Sequence, residues 1–268
     1  MPYLKLLDAE IYYEVYGEGR PFLFCSPTGV DGQCWKANQV PEFSRDHKVI
    51  IFDYRGTGRS SKTVMKYSTA MFAADAAAIL DALGAEQAIV CGHSNGGRVV
   101  QSLALDYPWK VSRLILASSG ASFSETKGLP LKLCQGMIEK GFERYVREHT
   151  IETGFMPEYV ASHRDVVEKF LNVRMAGIAP LPCYLHHVLA RQEHDTSARL
   201  KEIPVPTLVL IGEDEHAATS DLSHRASADI LRRDIPHSKF VVLPGQRHHY
   251  FVSDPVTVHR AIREFIEQ

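Results

Sequence analysis

No long block of like charge, no Cys-x-x-Cys pair and no His-Glu-x-x-His occurs in this chain of 268 residues. The first absence bears on partners. Thirty Lys and Arg stand against 32 Asp and Glu, a formal net charge of −2, so no field of one sign is present to draw nucleic acid or an anionic membrane surface. Cysteines number five, an odd count without paired spacing, which excludes a disulfide framework or a zinc site as the organising principle. Cys25 and Cys91 lie within apolar runs and read as small core residues. No metal ligand spacing is evident, so no metal is expected. The apolar runs are too short and too often broken by charge to span a bilayer, and no membrane association is expected. The opening MPYLKLLDAEIYYEVYGEG carries acidic residues and alternates like a hairpin, unlike a secretory signal. A reduced cytoplasm is the expected compartment, and the oligomeric state, homodimer included, stays open.

What is present is an ordinary globular composition, 45% hydrophobic and 23% charged, which argues against disorder. The first half alternates short β-rich runs with helical segments, the pattern of a mostly parallel sheet covered on both faces. Leu4–Leu7 and Ile11–Tyr16 read as a hairpin turning at Asp8-Ala9. Phe22–Cys25, Val49–Phe52, Ala88–Gly92 and Val111–Ala117 are compact apolar runs, as in strands buried on both faces. A short helix is expected near Trp35. A longer one runs from about Ser68 to Leu83, with Ser68 or Thr69 as cap and Gly84 as stop. From about Phe123 to Arg199 no convincing strand appears; Leu131–Arg147 and Pro157–Met175 read as amphipathic helices. Alternation resumes with Thr207–Ile211, a helix near Ser220–Arg233, strand Phe240–Leu243 and a helix over Pro255–Ile266. The expected organisation is one α/β core, 1–122 and 200–268, with a helical cap over 123–199 inserted after the sixth strand.

The sharpest local signal is Gly92-His93-Ser94-Asn95-Gly96-Gly97, which fits G-x-S-x-G between the apolar run Ala88–Cys91 and a helical segment. Turning from strand to helix within one residue strains the backbone at Ser94, and side chains at 92 or 96 would collide there. The turn lifts the hydroxyl over the sheet edge, where the helix N-terminus offers free N–H groups to a developing anion. The alternative is a tight strand–helix turn in which Ser94 is merely an N-cap.

A serine hydroxyl needs a positioned base. Thirteen histidines are available, and the order Ser, acid, His that accompanies this motif favours one beyond the last strand, His248 or His249. His93, within the turn, is expected to pack beneath it; His186 and His187 are expected on a helix surface. The acid should follow Thr207–Ile211, where Glu213, Asp214 and Glu215 stand in a row before His216. One of them would fix the imidazole tautomer and stabilise its cation.

At these residues the chain resembles the α/β-hydrolase superfamily. Asp53-Tyr54-Arg55-Gly56-Thr57-Gly58-Arg59-Ser60 is similar to its D-x-R-G-x-G-x-S turn. Pro204–Gly212 resembles the approach to the acid, and Pro244-Gly245-Gln246-Arg247-His248 with Ser253-Asp254-Pro255 resembles P-G-x-G-H…E-D-P. The resemblance implies the α/β-hydrolase fold: a mostly parallel eight-stranded sheet, helices on both faces and an inserted helical cap. It implies a catalytic triad of Ser94, His248 and an acid, Glu215 standing where Asp is usual, with Asp214 as the fallback. By register Thr28 and Asn95 would supply the N–H groups of the oxyanion hole. No cofactor is implied.

Two further departures are informative. Ser26-Pro27 replaces the usual His-Gly, as in the similar 3-oxoadipate enol-lactonases, which inclines the substrate toward a lactone or enol ester. Arg247 replaces a glycine, either lining the pocket or covering surface. The expected activity is hydrolysis of a carboxylic ester or lactone of a small to medium, partly hydrophobic molecule, held in a largely apolar pocket. An amidase, a C–C-bond hydrolase or a ligand receptor of slow turnover would use the same framework.

Overall fold

In the computed structural model, which describes residues 3–122, 128–215 and 224–268, the described residues form one eight-stranded sheet. Its strands are β1 (Tyr3–Lys5), β2 (Glu10–Tyr16), β3 (Arg20–Cys25), β4 (His47–Phe52), β5 (Ala88–His93), β6 (Val111–Ala117), β7 (Thr207–Gly212) and β8 (Ser238–Leu243). Their order is β1-β2-β4-β3-β5-β6-β7-β8. β1 and β2 pair antiparallel and β2 joins β4 antiparallel, while β3 to β8 are parallel throughout. The helices are α1 (Gln39–Phe43), α2 (Thr69–Ala82), α3 (Asn95–Asp106), α4 (Leu131–Lys140), α5 (Phe142–Gly154), α6 (Pro157–Ser162), α7 (Arg164–Ala176), α8 (Leu181–Gln192), α9 (His224–Asp234), α10 (Tyr250–Ser253) and α11 (Pro255–Ile266).

The continuous apolar runs make sense once the two sheet faces are separated, because side chains alternate along a strand. In β3 Leu23 and Cys25 join the cluster that contains α2, α3 and α9 residues, while Phe22 and Phe24 join the one formed with α1 and α11. β6 repeats this, with Leu114 and Leu116 on the first face and Ile115 and Ala117 on the second. Burying one such side chain is worth roughly 1.5–3 kcal/mol, so a polar substitution anywhere in these strands meets apolar packing on whichever face it enters.

Element ends differ from the sequence reading where a single residue breaks a periodic pattern. The helix expected over Leu131–Arg147 divides at Gly141, whose φ of +79° ends α4. That expected over Pro157–Met175 divides at His163 into α6 and α7. Near Trp35 there is one 3₁₀ turn, Gly32–Trp35, and α1 follows unforeseen. α2 is capped as expected, Ser68 Oγ accepting from Met71 N at 3.0 Å. The helix expected near Ser220–Arg233 is α9, described from His224 onward; Ser220 lies outside the described residues. His187, expected on a helix surface, is fully buried, and its Nε2 meets Arg55 O at 2.9 Å. Its helix packs that face down onto the core, so the ring sits on Phe72 rather than in water.

The turn after β4 ties the core together through charge. Asp53 Oδ1 accepts from Gly32 N at 2.9 Å and Oδ2 from Arg59 N at 2.8 Å, so one buried carboxylate holds two loops. Arg55, 3% exposed, grips Asp75 with two bonds, Nε to Oδ2 at 2.8 Å and Nη2 to Oδ1 at 2.6 Å, and reaches Asp8 at 2.9 Å. Removing one partner of such a pair leaves the other charge buried and unbalanced. Asp75→Ala should therefore lower the unfolding free energy by about 3–5 kcal/mol, read as an earlier midpoint in urea; an unshifted midpoint would show that Asp8 alone satisfies Arg55.

Candidate active site

From Ala88 to Leu105 every residue is buried but Ser94. β5 is inserted between β3 and β6, so nothing along it can reach solvent until the chain turns at its carboxyl end. The turn is made with Ser94 at φ 58°, ψ −115°, a conformation that L-residues avoid. It persists because the surroundings over-determine it. Ser94 N donates to Ala117 O at 2.8 Å, and the chain after it passes so close to β3 that a Cβ at Gly96 would sit 2.0 Å from Cys25 O. A Cβ at Gly92 would lie 2.1 Å from Gly96 O. Both glycines of the motif are thus steric requirements.

Loops from the carboxyl ends of β3, β5, β7 and β8 place Thr28, Ser94, Glu215 and His248 on the same edge of the sheet. One cavity is lined by Thr28, Ser94 and His248, with His224, Arg174 and Tyr184 among its other walls. His248 Nδ1 lies 3.0 Å from Glu215 Oε2, which leaves Nε2 as the nitrogen free to exchange a proton with Ser94 or a ligand. Glu215 is 2% exposed. Burial alone would raise its pKa, but His248 and His224 hold it well below the usual carboxylate range. Of its neighbours, Glu213 accepts from Gly245 N at 2.9 Å at the surface, and Asp214 N donates to Gln246 O at 3.0 Å. Neither carboxylate approaches His248 among the described contacts, so Glu215 and not Asp214 meets the imidazole.

His249 points elsewhere. Its ring packs on Phe155 and Phe170 with centroids 5.3 and 5.0 Å away, and burial takes its pKa well below the usual histidine value. His93 packs beneath the turn as expected, 3% exposed, its Nε2 2.8 Å from His248 O. It therefore holds the backbone of the residue whose side chain faces the cavity. Thr28 N and Asn95 N have no acceptor among the described residues; Thr28 lines the cavity, while Asn95 is fully buried behind Ser94 at the start of α3. Ser26 is accounted for by packing, since its Oγ donates to Asp31 O at 3.0 Å and accepts from Trp35 Nε1 at 3.0 Å. Arg247 donates to Glu152 O at 3.0 Å and Phe155 O at 3.2 Å, closing the carboxyl end of α5, where the negative end of the helix dipole favours a cation.

Several residues of the site escaped the sequence reading. Ser118 Oγ donates to Glu215 Oε1 and lies 2.8 Å from Tyr250 Oη, and Gly212 N reaches the same carboxylate oxygen at 3.3 Å. His224 Nδ1 stands 2.9 Å from Glu215 Oε2, an ion-pair distance without hydrogen-bond alignment, and its ring stacks on His248 at 4.9 Å. Glu215, His224 and His248 are the one trio among the described residues whose ligand atoms lie close enough, within 4.8 Å, to hold a metal ion. The cavity is also less apolar than expected, because Arg174, Arg191 and His149 line it. A signal for Arg174 existed: it completes the spacing Val167, Leu171, Arg174 along the buried stripe of α7, where an apolar residue would be usual.

A model of the α/β hydrolase fold family matches residues 27–255. Over 260 residues, 95% of this chain and 94% of the relative, the sequence is 30% identical to a protein of Azorhizobium caulinodans provisionally named carbamate hydrolase RutD. It is 28% identical over 267 residues to 3-oxoadipate enol-lactonase 2 of Acinetobacter baylyi, covering 99% of this chain and 96% of that one. Among solved structures, Est816, described as an N-acyl homoserine lactone degrading enzyme, superposes with a TM-score of 0.83 at 27% identity, covering 98% and 100% of the two chains.

His248 carries opposing influences: burial pushes its pKa down, Glu215 pulls it up, and His224 and Arg174 push it down again, for a net position below the usual 6.5. The imidazole should therefore be neutral above pH 6.5 and gain its proton only at lower pH. Glu215→Gln removes the upward pull, so the midpoint should drop further. Histidine NMR titration of both proteins checks the order, and a midpoint that rose in Glu215→Gln would contradict it.

Proposed function

The chain belongs to the α/β-hydrolase fold family, and from that premise we propose that it hydrolyses carboxylic esters or lactones of small molecules through an acyl-enzyme on Ser94. The observation that carries this reading is the strained serine sharing one cavity with His248, whose far nitrogen is braced by buried Glu215. The ester and lactone chemistry named for the relatives supports the same reading.

In this mechanism Ser94 Oγ attacks the carbonyl carbon while His248 Nε2 takes its proton. The carbonyl oxygen becomes an oxyanion received by Thr28 N and Asn95 N, donors held in place before the charge appears. Asn95 begins α3, so the partial positive charge of that helix end adds to its N–H. Collapse of the tetrahedral adduct breaks the bond to the leaving oxygen, which receives the proton from Nε2. Water, deprotonated by the same nitrogen, then cleaves the acyl-serine and releases the acid. For a lactone the alcohol stays attached to the acyl group, and the product is one hydroxy acid. Glu215 keeps its charge throughout and stabilises the imidazolium. Ser118 O–H and Gly212 N–H hold its Oε1, so that Oε2 remains turned to His248.

The inserted segment 123–199, of which 123–127 lie outside the described residues, serves as a cap in this reading, since α4, α5, α7 and α8 supply Leu133, Thr150, Arg174 and Tyr184 to the cavity wall. The enclosed space is about 80 Å³, which favours short acyl chains. With 4-nitrophenyl acetate and butyrate, wild type should show repeated turnovers. Ser94→Ala should retain less than about one thousandth of kcat, and Glu215→Gln should lose roughly 10³–10⁴-fold. Full activity in Ser94→Ala would refute the mechanism, whereas at most one turnover by wild type would point to a ligand receptor.

A further inference from the structure

The geometry points to a carboxylate-binding subsite at Arg174, so that the ester or lactone bears a second, anionic group away from the scissile carbonyl. This inference rests on the hydrolase reading for its substrate and on Arg174 for its chemistry. A guanidinium is protonated at any pH the protein meets and requires five hydrogen-bond acceptors. Arg174 is only 8% exposed, and its Nε has no partner. It forms no ion pair with any carboxylate among the described residues. The groups that act on it favourably are the Tyr184 hydroxyl and the Cys34 thiol, the latter pushed up to about 12 by burial, and burial draws the arginine's own pKa below its usual value.

The contrast with Arg55 is instructive. That arginine is buried as well and is met by two aspartates within 2.9 Å, the usual arrangement for a guanidinium out of water. Arg174 instead forms part of the wall of the cavity that holds Ser94 and His248. His149, on the same wall, has its pKa pushed down to about 4 by burial and by Arg191 and Arg174. A positive group on the wall of the nucleophile's cavity, with no carboxylate partner among the described residues, is completed by a ligand anion. A carboxylate suits it, because its two oxygens match the planar fork of the guanidinium. The same wall contributes the Tyr184 hydroxyl, which can hold the guanidinium in orientation.

The test compares two 4-nitrophenyl esters of equal length, hydrogen glutarate and its terminal carboxamide, with uncatalysed hydrolysis subtracted. They are assayed on wild type, Arg174→Met and Arg174→Lys, and the reading is the ratio of kcat/KM for the anionic over the neutral ester. Wild type should prefer the anion by about 30-fold or more, as expected for a desolvated charge pair. The ratio should fall to about one in Arg174→Met and to an intermediate value in Arg174→Lys, which keeps the charge without the fork. A wild-type ratio near one overturns the subsite. So does a ratio unchanged by Arg174→Met, since equal losses on both esters would mean that Arg174 acts on the oxyanion or on folding. If Arg174→Met does not fold, Arg174→Lys decides by the same ratio. If wild type cleaves neither ester, the acyl-transfer reading has failed, and calorimetry with glutarate alone judges the subsite: binding at least about tenfold weaker in Arg174→Lys sustains it, and equal or absent binding overturns it.

Discussion

The backbone at Ser94 is the constraint from which the rest of the site follows. A residue at φ 58° and ψ −115° is unfavourable in isolation, by an amount of order 1–3 kcal/mol. Here it is enforced by a strand locked between two parallel neighbours and by a helix that starts against the end of β3. The two glycines are the places where that approach leaves no room for a Cβ. Relaxing the turn would require pulling α3 away from β3, which would expose Val99, Val100 and Leu103, all fully buried. Core packing thus holds the one accessible hydroxyl in a segment otherwise closed to solvent.

Once that hydroxyl stands at the carboxyl edge of the sheet, the parallel topology brings the other groups to it. Every strand from β3 to β8 ends on the same side, so loops remote in sequence meet there. Charge then decides how they are arranged. Glu215 is buried and ionised, a state that needs hydrogen-bond donors. It has them: Ser118 and Gly212 on Oε1, and on Oε2 the imidazole of His248. His224 Nδ1 also stands 2.9 Å from Oε2, which makes the acid a junction of two histidines. That Glu stands where Asp is usual is compatible with this arrangement, because the additional methylene lets the carboxylate reach both sides of the loop.

Legibility from sequence followed the range of the determinants. The elbow was legible because its steric rule acts within five residues, Gly92 to Gly96. The strands were legible because burial on both faces demands uninterrupted apolar runs. His248 and Glu215 needed the register of the surrounding motifs, and the carboxylate at 215 rather than 214 faces the ring because Gly212 N binds one of its oxygens. Helix breaks at Gly141 and His163 were hidden inside patterns that stayed amphipathic across them. Ser118 and Tyr250 could not be read at all, since their role arises only in three dimensions, where Ser118 after β6 meets the Glu215 carboxylate and Tyr250 of α10 meets Ser118. His187 was misplaced because two adjacent histidines, His186 and His187, give no sign of which one the helix turns to the core.

The arginines of the inserted helices show the same principle from the opposite side. Local periodicity marks Arg174 as inward-facing, and periodicity alone would class an inward arginine as half of an internal ion pair. Arg55 is such a case, and its two aspartates come from segments 47 residues before it and 20 after it. For Arg174 the tertiary structure offers a phenol and a cavity in place of a carboxylate. The cost of burying its charge is therefore not recovered within the described fold, and a site that tolerates such a cost gains from it only when something negative enters. Selectivity then falls to the inserted helices, while the sheet edge supplies the groups that any ester would meet.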